Sequence, residues 1–251
     1  MAPIHAGDSQ IRVILLDIEG TTTPVDFVYK KLFPYASRYA ESYLREHSRD
    51  SEIQSLEADL RAQHEHDVHA GLAPPPWTQQ NEHDRIQSSI DYVHWLMARD
   101  SKCSPLKTLQ GQIWRQGYER GELHGEVYPD VPVAFARWRR QGREICIYSS
   151  GSVLAQQLLF RSTQAGDLTQ YISNFFDTRI GAKNESASYT NIVKTLGCRA
   201  SEVLFISDTI KEILAARDAF LQAVLCMRQA EAPASVSVED FIRTFDQVLP
   251  T

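Results

Sequence analysis

Long apolar runs are missing from this 251-residue chain. No stretch reaches the ~18 apolar residues that a spanning helix needs, so no membrane partner is expected. The first residues, MAPIHAGDSQ, have neither a basic start nor an apolar run, which argues against a secretion signal. Excess positive charge is absent too: the formal net charge is -6 and the pI near 5.8, so phosphate backbones are repelled and nucleic acid is not an expected partner. Cysteine is sparse, and Cys103, Cys146, Cys198 and Cys226 lack the close pairs of a zinc site or a thioredoxin-like motif. They read as reduced thiols, two of them in apolar segments, and the expected location is the cytoplasm, with the nucleus also open. No internal repeat or fibrous bias is present, and 43% hydrophobic with 23% charged residues is an ordinary globular composition. The length suits either one large core domain with an insertion or two domains.

What is there is a recurrent pattern of short apolar runs that end in polar, chemistry-bearing residues. Ile11 to Leu16 leads into Asp17, Glu144 to Tyr148 into Ser149 and Ser150, and Val203 to Ser207 into Asp208. Each reads as a buried parallel strand entering a loop, and a fourth strand is expected at Ala223 to Met227. Helical spacing covers Val133 to Arg140, Ser152 to Phe160, Tyr189 to Leu196 and Lys211 to Ala219. The alternation predicts an α/β fold, a doubly wound parallel sheet. Ligands of such sheets sit beyond the carboxyl ends of the strands, where Asp17, Ser149, Ser150 and Asp208 converge.

Residues 26–127 break this rhythm with helical spacing such as Ile86, Ile90, Val93 and Met97, and predict an inserted, mostly helical cap. The core is then 1–25 and 128–251. Gly71 to Pro76 is a loop within the cap, and Tyr128 to Pro132 the return hinge. The tail is expected as loop from Gln229 to Val238 and as a closing helix from Glu239 to Leu249.

Asp17 is followed two residues later by Glu19, then by Gly20 and three threonines. Crowded carboxylates are unfavourable unless a proton or a cation compensates, and a divalent metal would do so while screening a carboxylate nucleophile from a phosphate. Asp208 supplies a distant second acid whose duller alternative is a helix cap, and Glu212 follows it as an outer residue. Ser149-Ser150-Gly151-Ser152 offers hydroxyls and backbone N–H groups at a helix start, suited to an anion. Lys183 lies in a polar loop, where only the surrounding groups argue for a phosphate contact. His64, His66 and His69 could suggest a metal, but a solvated helix face is the better reading. Among Phe27, Tyr29, Phe33, Tyr35, Tyr39 and Tyr43, only the first few are candidates for ligand contact.

In order, DIEGTTT, YSSGS, GAKNESASY and FISDT resemble the four motifs of haloacid dehalogenase-type phosphatases. With Glu19 in place of the usual second Asp, and YVHWLMARDSKCSPLKTLQGQIWRQGYERGELHGEVYPDVP following, the chain is similar to the enolase-phosphatases, or acireductone synthases, of methionine salvage. The likeness runs to about Ala219. The stretch Asp218 to Gln222 lacks the glycine that the family pattern leads one to expect.

The resemblance implies one Mg2+ per chain held by the Asp17 carboxylate, the Glu19 carbonyl and Asp208, with Asp17 the nucleophile, Glu19 a proton carrier, and Ser149, Ser150 and Lys183 on the substrate. It also implies the substrate: 2,3-diketo-5-methylthiopentyl 1-phosphate, enolised and then dephosphorylated to the acireductone. A small phosphorylated metabolite is thus the expected partner, and a monomer the expected state. Three other readings stay open at this point: a plain magnesium-dependent phosphatase, a metal-independent dehalogenase, and an inactive scaffold that keeps the fold.

Overall fold

The computed structural model describes residues 10–228 and 241–250. They fall into two compact units, one from the two ends of the chain, up to Val28 and from His124 onward, the other Tyr29–Leu123.

The first unit begins with β1 (Val13–Leu16), whose residues Val-Ile-Leu-Leu are all buried. A strand hydrogen-bonded on both sides and covered on both faces has no solvent face, so it reads as an unbroken apolar run rather than an alternation. After a short helix, α1 (Val25–Phe27), the chain leaves this unit. The middle unit is built from α2 (Phe33–Glu46), α3 (Ser51–His69), α4 (Glu82–Ala98) and α5 (Ser104–Glu119). Their apolar stripes meet in one core containing Leu44, Leu56, Leu60, Ile90, Val93, Leu109 and Ile113. Tyr35, Tyr39 and Tyr43 pack on that core, Phe27 is buried, and Tyr29 is exposed.

One expectation for this unit fails. His64 is buried rather than solvated: its Nε2 lies 2.8 Å from the Pro75 carbonyl, and its ring packs on Trp77 and Tyr92. Among the described residues no group of three or more His, Cys, Asp or Glu side chains stands ready to hold a metal, here or elsewhere. Nearby, the buried Tyr92 hydroxyl donates to Asp67 Oδ2 at 2.7 Å. Burial would raise the Asp67 carboxyl, but hydrogen bonds from Tyr92 and Gln63 more than offset it and hold it below the usual range.

The chain then runs through α6 (Asp130–Arg140), β2 (Glu144–Tyr148), α7 (Val153–Arg161), β3 (Ile172–Phe176), α8 (Ser186–Leu196), β4 (Val203–Ser207), α9 (Ile210–Asp218), β5 (Gln222–Cys226) and β6 (Phe241–Ile242). The sheet order is β3-β2-β1-β4-β5-β6, with all neighbours parallel. Val13, Leu15, Tyr148 and Phe205 share a core with Tyr189 and Ile192 of α8 and Ile213 and Ala216 of α9. Ile14 and Leu16, pointing to the opposite face, are equally buried, so both faces of the sheet are covered.

The end of the chain departs from expectation. In the described part of Glu239–Leu249 there is no closing helix: Phe241–Ile242 adds a two-residue strand beside Leu225 and Cys226, and Phe245–Gln247 forms one 3-10 turn. Phe241, Ile242, Phe245 and Val248 are all buried, so this segment is fixed by what it packs against rather than by helical periodicity. The loop expected over 229–238 lies outside the described residues. Among the described residues no helix is long and apolar enough to cross a membrane. Cys146 and Cys226 are buried, Cys103 and Cys198 partly so, and all four are unpaired thiols.

Candidate active site

Strand order dictates where the site can form. From β1 the sheet grows through β2 to β3 in one direction and then, from β4, in the other. The connections therefore diverge between β1 and β4, leaving a crevice at their carboxyl ends. Asp17 follows the last residue of β1 and Asp208 the last residue of β4, where Leu16 and Ile206 are in register. Asp17 is anchored by its own N–H to the Ile206 carbonyl at 2.9 Å and is 4% exposed.

The turn after Asp17 folds back on itself. The Ile18 carbonyl accepts N–H groups from Thr21, Thr22 and Thr23, and the Gly20 N–H donates to the Thr23 carbonyl at 2.8 Å. Thr22 Oγ1 lies 3.2 Å from the carbonyls of both Asp17 and Ile18. Gly20 has φ +71, and a Cβ built on it would come within 2.1 Å of Asp208 Oδ2. A side chain there is excluded twice, by conformation and by the close approach of Asp208 to the turn. Glu19, half-buried, pairs with Thr23 across the turn.

Lys183 is brought to the same place by a second loop, the one between β3 and α8. Its Nζ lies 2.5 Å from Asp17 Oδ1 and 2.7 Å from Glu212 Oε2, with only 10% of its side chain exposed. That loop is held by three hydrogen bonds from buried groups: Tyr148 Oη to the Gly181 carbonyl, Ser188 Oγ to the Ala182 carbonyl and Tyr189 Oη to the Lys183 carbonyl, at 2.7 to 2.8 Å. Burial opposes a charged lysine, but the carboxylates of Asp17 and Glu212 outweigh it, so the Lys183 ammonium is held well above its ordinary range.

One ammonium faces three acids. Burial and the charge of Asp17 push the carboxyls of Asp208 and Glu212 above their ordinary values, although Lys183 pulls both down. Surplus negative charge on oxygen ligands suits a hard divalent cation. Because no three His, Cys, Asp or Glu side chains among the described residues are placed to hold a metal, such a cation needs backbone oxygen as well. The residues present fit it on those terms.

Ser149, 4% exposed, follows the last residue of β2, the strand beside β1, and its Oγ accepts the Gly151 N–H at 3.2 Å. Ser152 caps α7, its hydroxyl accepting the Ala155 N–H, which leaves Ser150 and Gly151 at the start of the helix. Ser149 and Ser150 make no hydrogen bond to Asp17 or Lys183 among the described residues; they share the sheet edge with them. Asp208 is not the helix cap, since Thr209 occupies that position.

Two residues matter more than the sequence suggested. Glu212, expected as an outer residue, is a direct partner of Lys183. Ser207, fully buried at the end of β4, lies 2.7 Å from Glu212 Oε2 and 3.4 Å from Asp17 Oδ2, and takes the Thr209 N–H. A serine ending an apolar strand just before an acid was its only sequence signal.

Residues 11–219 match the model of the haloacid dehalogenase-like hydrolases. The chain is 44% identical over 238 residues to the enolase-phosphatase E1 of Synechococcus elongatus, covering 95% of this chain and 98% of that one. It is 42% identical to the enolase-phosphatase E1 of Drosophila melanogaster, covering 95% and 90% of the two chains. Among solved structures, the UTR4 protein of Saccharomyces cerevisiae has a TM-score of 0.70 at 34% identity, covering 89% of this chain and 93% of that one. CbbY of Rhodobacter sphaeroides, crystallised with xylulose-(1,5)bisphosphate, has a TM-score of 0.54 at 13% identity over 94% and 95% of the chains, a likeness of fold alone.

Proposed function

The chain belongs to the enolase-phosphatases of the haloacid dehalogenase-like hydrolases, a family of phosphatase enzymes, and from that membership we propose that it converts 2,3-diketo-5-methylthiopentyl 1-phosphate to the acireductone and phosphate, with Asp17 as nucleophile. The observation that carries the reading is the placement of Lys183 against both Asp17 and Glu212. The pairing sets the Asp17 carboxyl beside the ammonium, in place for attack. It also leaves one of the three ammonium protons for a phosphate oxygen.

In this reading Asp17, Asp208 and the Glu19 carbonyl hold Mg2+, which when bound neutralises charge on the phosphate and the surrounding carboxylates. The remaining work falls to the chain. Glu19 takes a proton from the carbon bearing the ester, and the electron pair of that C–H bond forms the double bond to carbon 2 as the carbonyl π electrons there move onto its oxygen, giving an enolate. An Asp17 oxygen then bonds to phosphorus as the ester P–O bond breaks, its electron pair leaving on the oxygen of carbon 1, to which Glu19 returns the proton, so that the acireductone departs as its monoanion. Water attacks the aspartyl phosphate at phosphorus, the P–O bond to Asp17 breaks, and the carboxylate and inorganic phosphate are released. Lys183 offsets the charge that develops on the transferring group. Ser149, Ser150 and the N–H groups at the start of α7 receive its oxygens. We take the helical unit as the cap that excludes water from the enol.

The test is phosphate release from the diketo substrate and from a panel of sugar phosphates, with and without magnesium. The reading expects magnesium-dependent release that strongly favours the diketo compound. Equal rates across the panel would make the protein a general phosphatase, and release unaffected by chelation would remove the metal.

A further inference from the structure

Arg228, two residues after β5, is remote in sequence from the turn that follows Asp17, yet its side chain is only 6% exposed. Each of its three guanidinium nitrogens donates. Nε and Nη2 both donate to the Thr21 carbonyl, at 2.9 and 2.7 Å, and Nη1 donates to Asp130 Oδ2 at 2.6 Å. The plane is flanked by the rings of Tyr128 and Phe245, with centroids 4.4 and 4.5 Å away. Asp130 Oδ2 also accepts the Phe245 N–H at 2.6 Å, so one carboxylate ties the arginine to the start of α6 and to the end of the chain.

These contacts complete the turn after the nucleophile. The Thr22 carbonyl accepts the Tyr128 N–H at 2.9 Å and the Thr23 carbonyl accepts the Gly20 N–H, so with Arg228 on Thr21 three successive carbonyls are all held. A peptide fixed at its oxygen cannot rotate, which fixes the direction in which the preceding residues leave. The charge of Arg228 is matched by Asp130, so what reaches the turn is a pair of directed donors rather than a field. Asp17 does not depend on them: it is held by the β4 backbone, Lys183 and Ser207. Glu19 lies within the turn and does.

We propose that Arg228 is a positioning residue that locks the turn through the Thr21 carbonyl and so holds Glu19 where it exchanges protons with the substrate. The inference rests on Glu19 acting as the proton carrier. With magnesium saturating, so that a slackened Glu19 carbonyl still has its metal, it predicts damage confined to the steps that need the Glu19 side chain. An alkyl phosphate needs a proton on its leaving oxygen, whereas p-nitrophenyl phosphate has a leaving group good enough to depart without one.

The experiment measures kcat and KM for both substrates in the wild type, Arg228→Met, Arg228→Met/Asp130→Asn and Glu19→Gln, with thermal melting as the check on folding. The double variant carries the test if the single one does not fold, because it removes the carboxylate left buried without a partner. Expected is a fall in kcat of about 10- to 100-fold with the alkyl phosphate and under ~3-fold with the aryl one, at nearly unchanged KM, a weaker copy of Glu19→Gln, since loss of a whole acid or base costs ~100- to 10,000-fold. Equal losses on both substrates, or none in a folded variant, would overturn the role of Arg228. If Glu19→Gln itself treats the two substrates alike, the Glu19 reading fails first and this inference with it.

Discussion

Phe220 occupies a position that the backbone has shaped for glycine. Helix α9 ends with the Leu221 N–H on the Ala216 carbonyl at 3.1 Å and the Phe220 N–H on the Arg217 carbonyl at 2.9 Å, the paired bonds of a left-handed helix stop. Phe220 supplies the left-handed residue at φ +64, and its ring is 83% exposed. Phe220→Gly should therefore stabilise the protein. A side chain in this conformation costs about 1–2 kcal/mol, and the greater flexibility of glycine in the unfolded chain returns roughly 0.5–1 of that. The exposed ring gives up little packing, leaving a net gain of about 0.5–1 kcal/mol. At roughly 2–4 °C per kcal/mol for a chain of this size, the melting temperature should rise by about 1–4 °C. Phe220→Ala is the control, since it removes the ring but keeps a Cβ in the same conformation, and it should melt within ~1 °C of the wild type. A glycine variant no more stable than the alanine variant would refute the strain argument.

Lys183→Ala should lower kcat/KM by at least about 100-fold, because it removes the charge that compensates transfer; normal kinetics with a lowered melting temperature would make the residue structural. Glu19→Gln should slow deuterium exchange at the carbon bearing the phosphate by ~100-fold or more, and slow phosphate release from the already formed enol much less. Exchange at the wild-type rate with collapsed phosphate release would reduce Glu19 to a leaving-group acid. Tyr92→Phe removes the donor that keeps Asp67 ionised, so it should cost about 1–3 kcal/mol at neutral pH. Since the folded Asp67 carboxyl is depressed, that contribution is complete above the unfolded value of about 3.9 and fades as pH falls through the folded one. A urea titration in which the loss is the same at pH 7 and pH 3 would contradict the assignment.

The sequence carries most where one physical cause dominates. β1, β2 and β4 have no solvent face, so their apolar runs are legible and their last residues point to the crevice. β3, Ile-Ser-Asn-Phe-Phe, was not foreseen: it lies at the sheet edge, is only partly buried, and has two polar residues inside it. The final segment misled for a related reason, since Phe241 to Val248 owes its shape to β5, Arg228 and Asp130 rather than to local spacing. At the site, Asp17, Asp208 and the serines stand out because strand ends announce them, whereas Lys183 sits in a polar loop whose course depends on Tyr148, Ser188 and Tyr189. Ser207 and Arg228 act through contacts spanning 190 and 207 positions, which no local pattern encodes. His64 shows the converse: a polar-looking stretch hid a buried ring packed tilted and edge-on against aromatics of its own unit.

The central claim is that Asp17 carries the phosphoryl group. An acyl phosphate, unlike a free carboxylate, is reduced by borohydride to an alcohol, so quenching the enzyme with borohydride during turnover and mapping its peptides by mass reads the intermediate directly. The account predicts homoserine at position 17, appearing only with substrate and disappearing when turnover ends, while Asp208, Glu19 and Glu212 remain unmodified. Full phosphate release with an unmodified Asp17, or reduction at any other carboxylate, would contradict it.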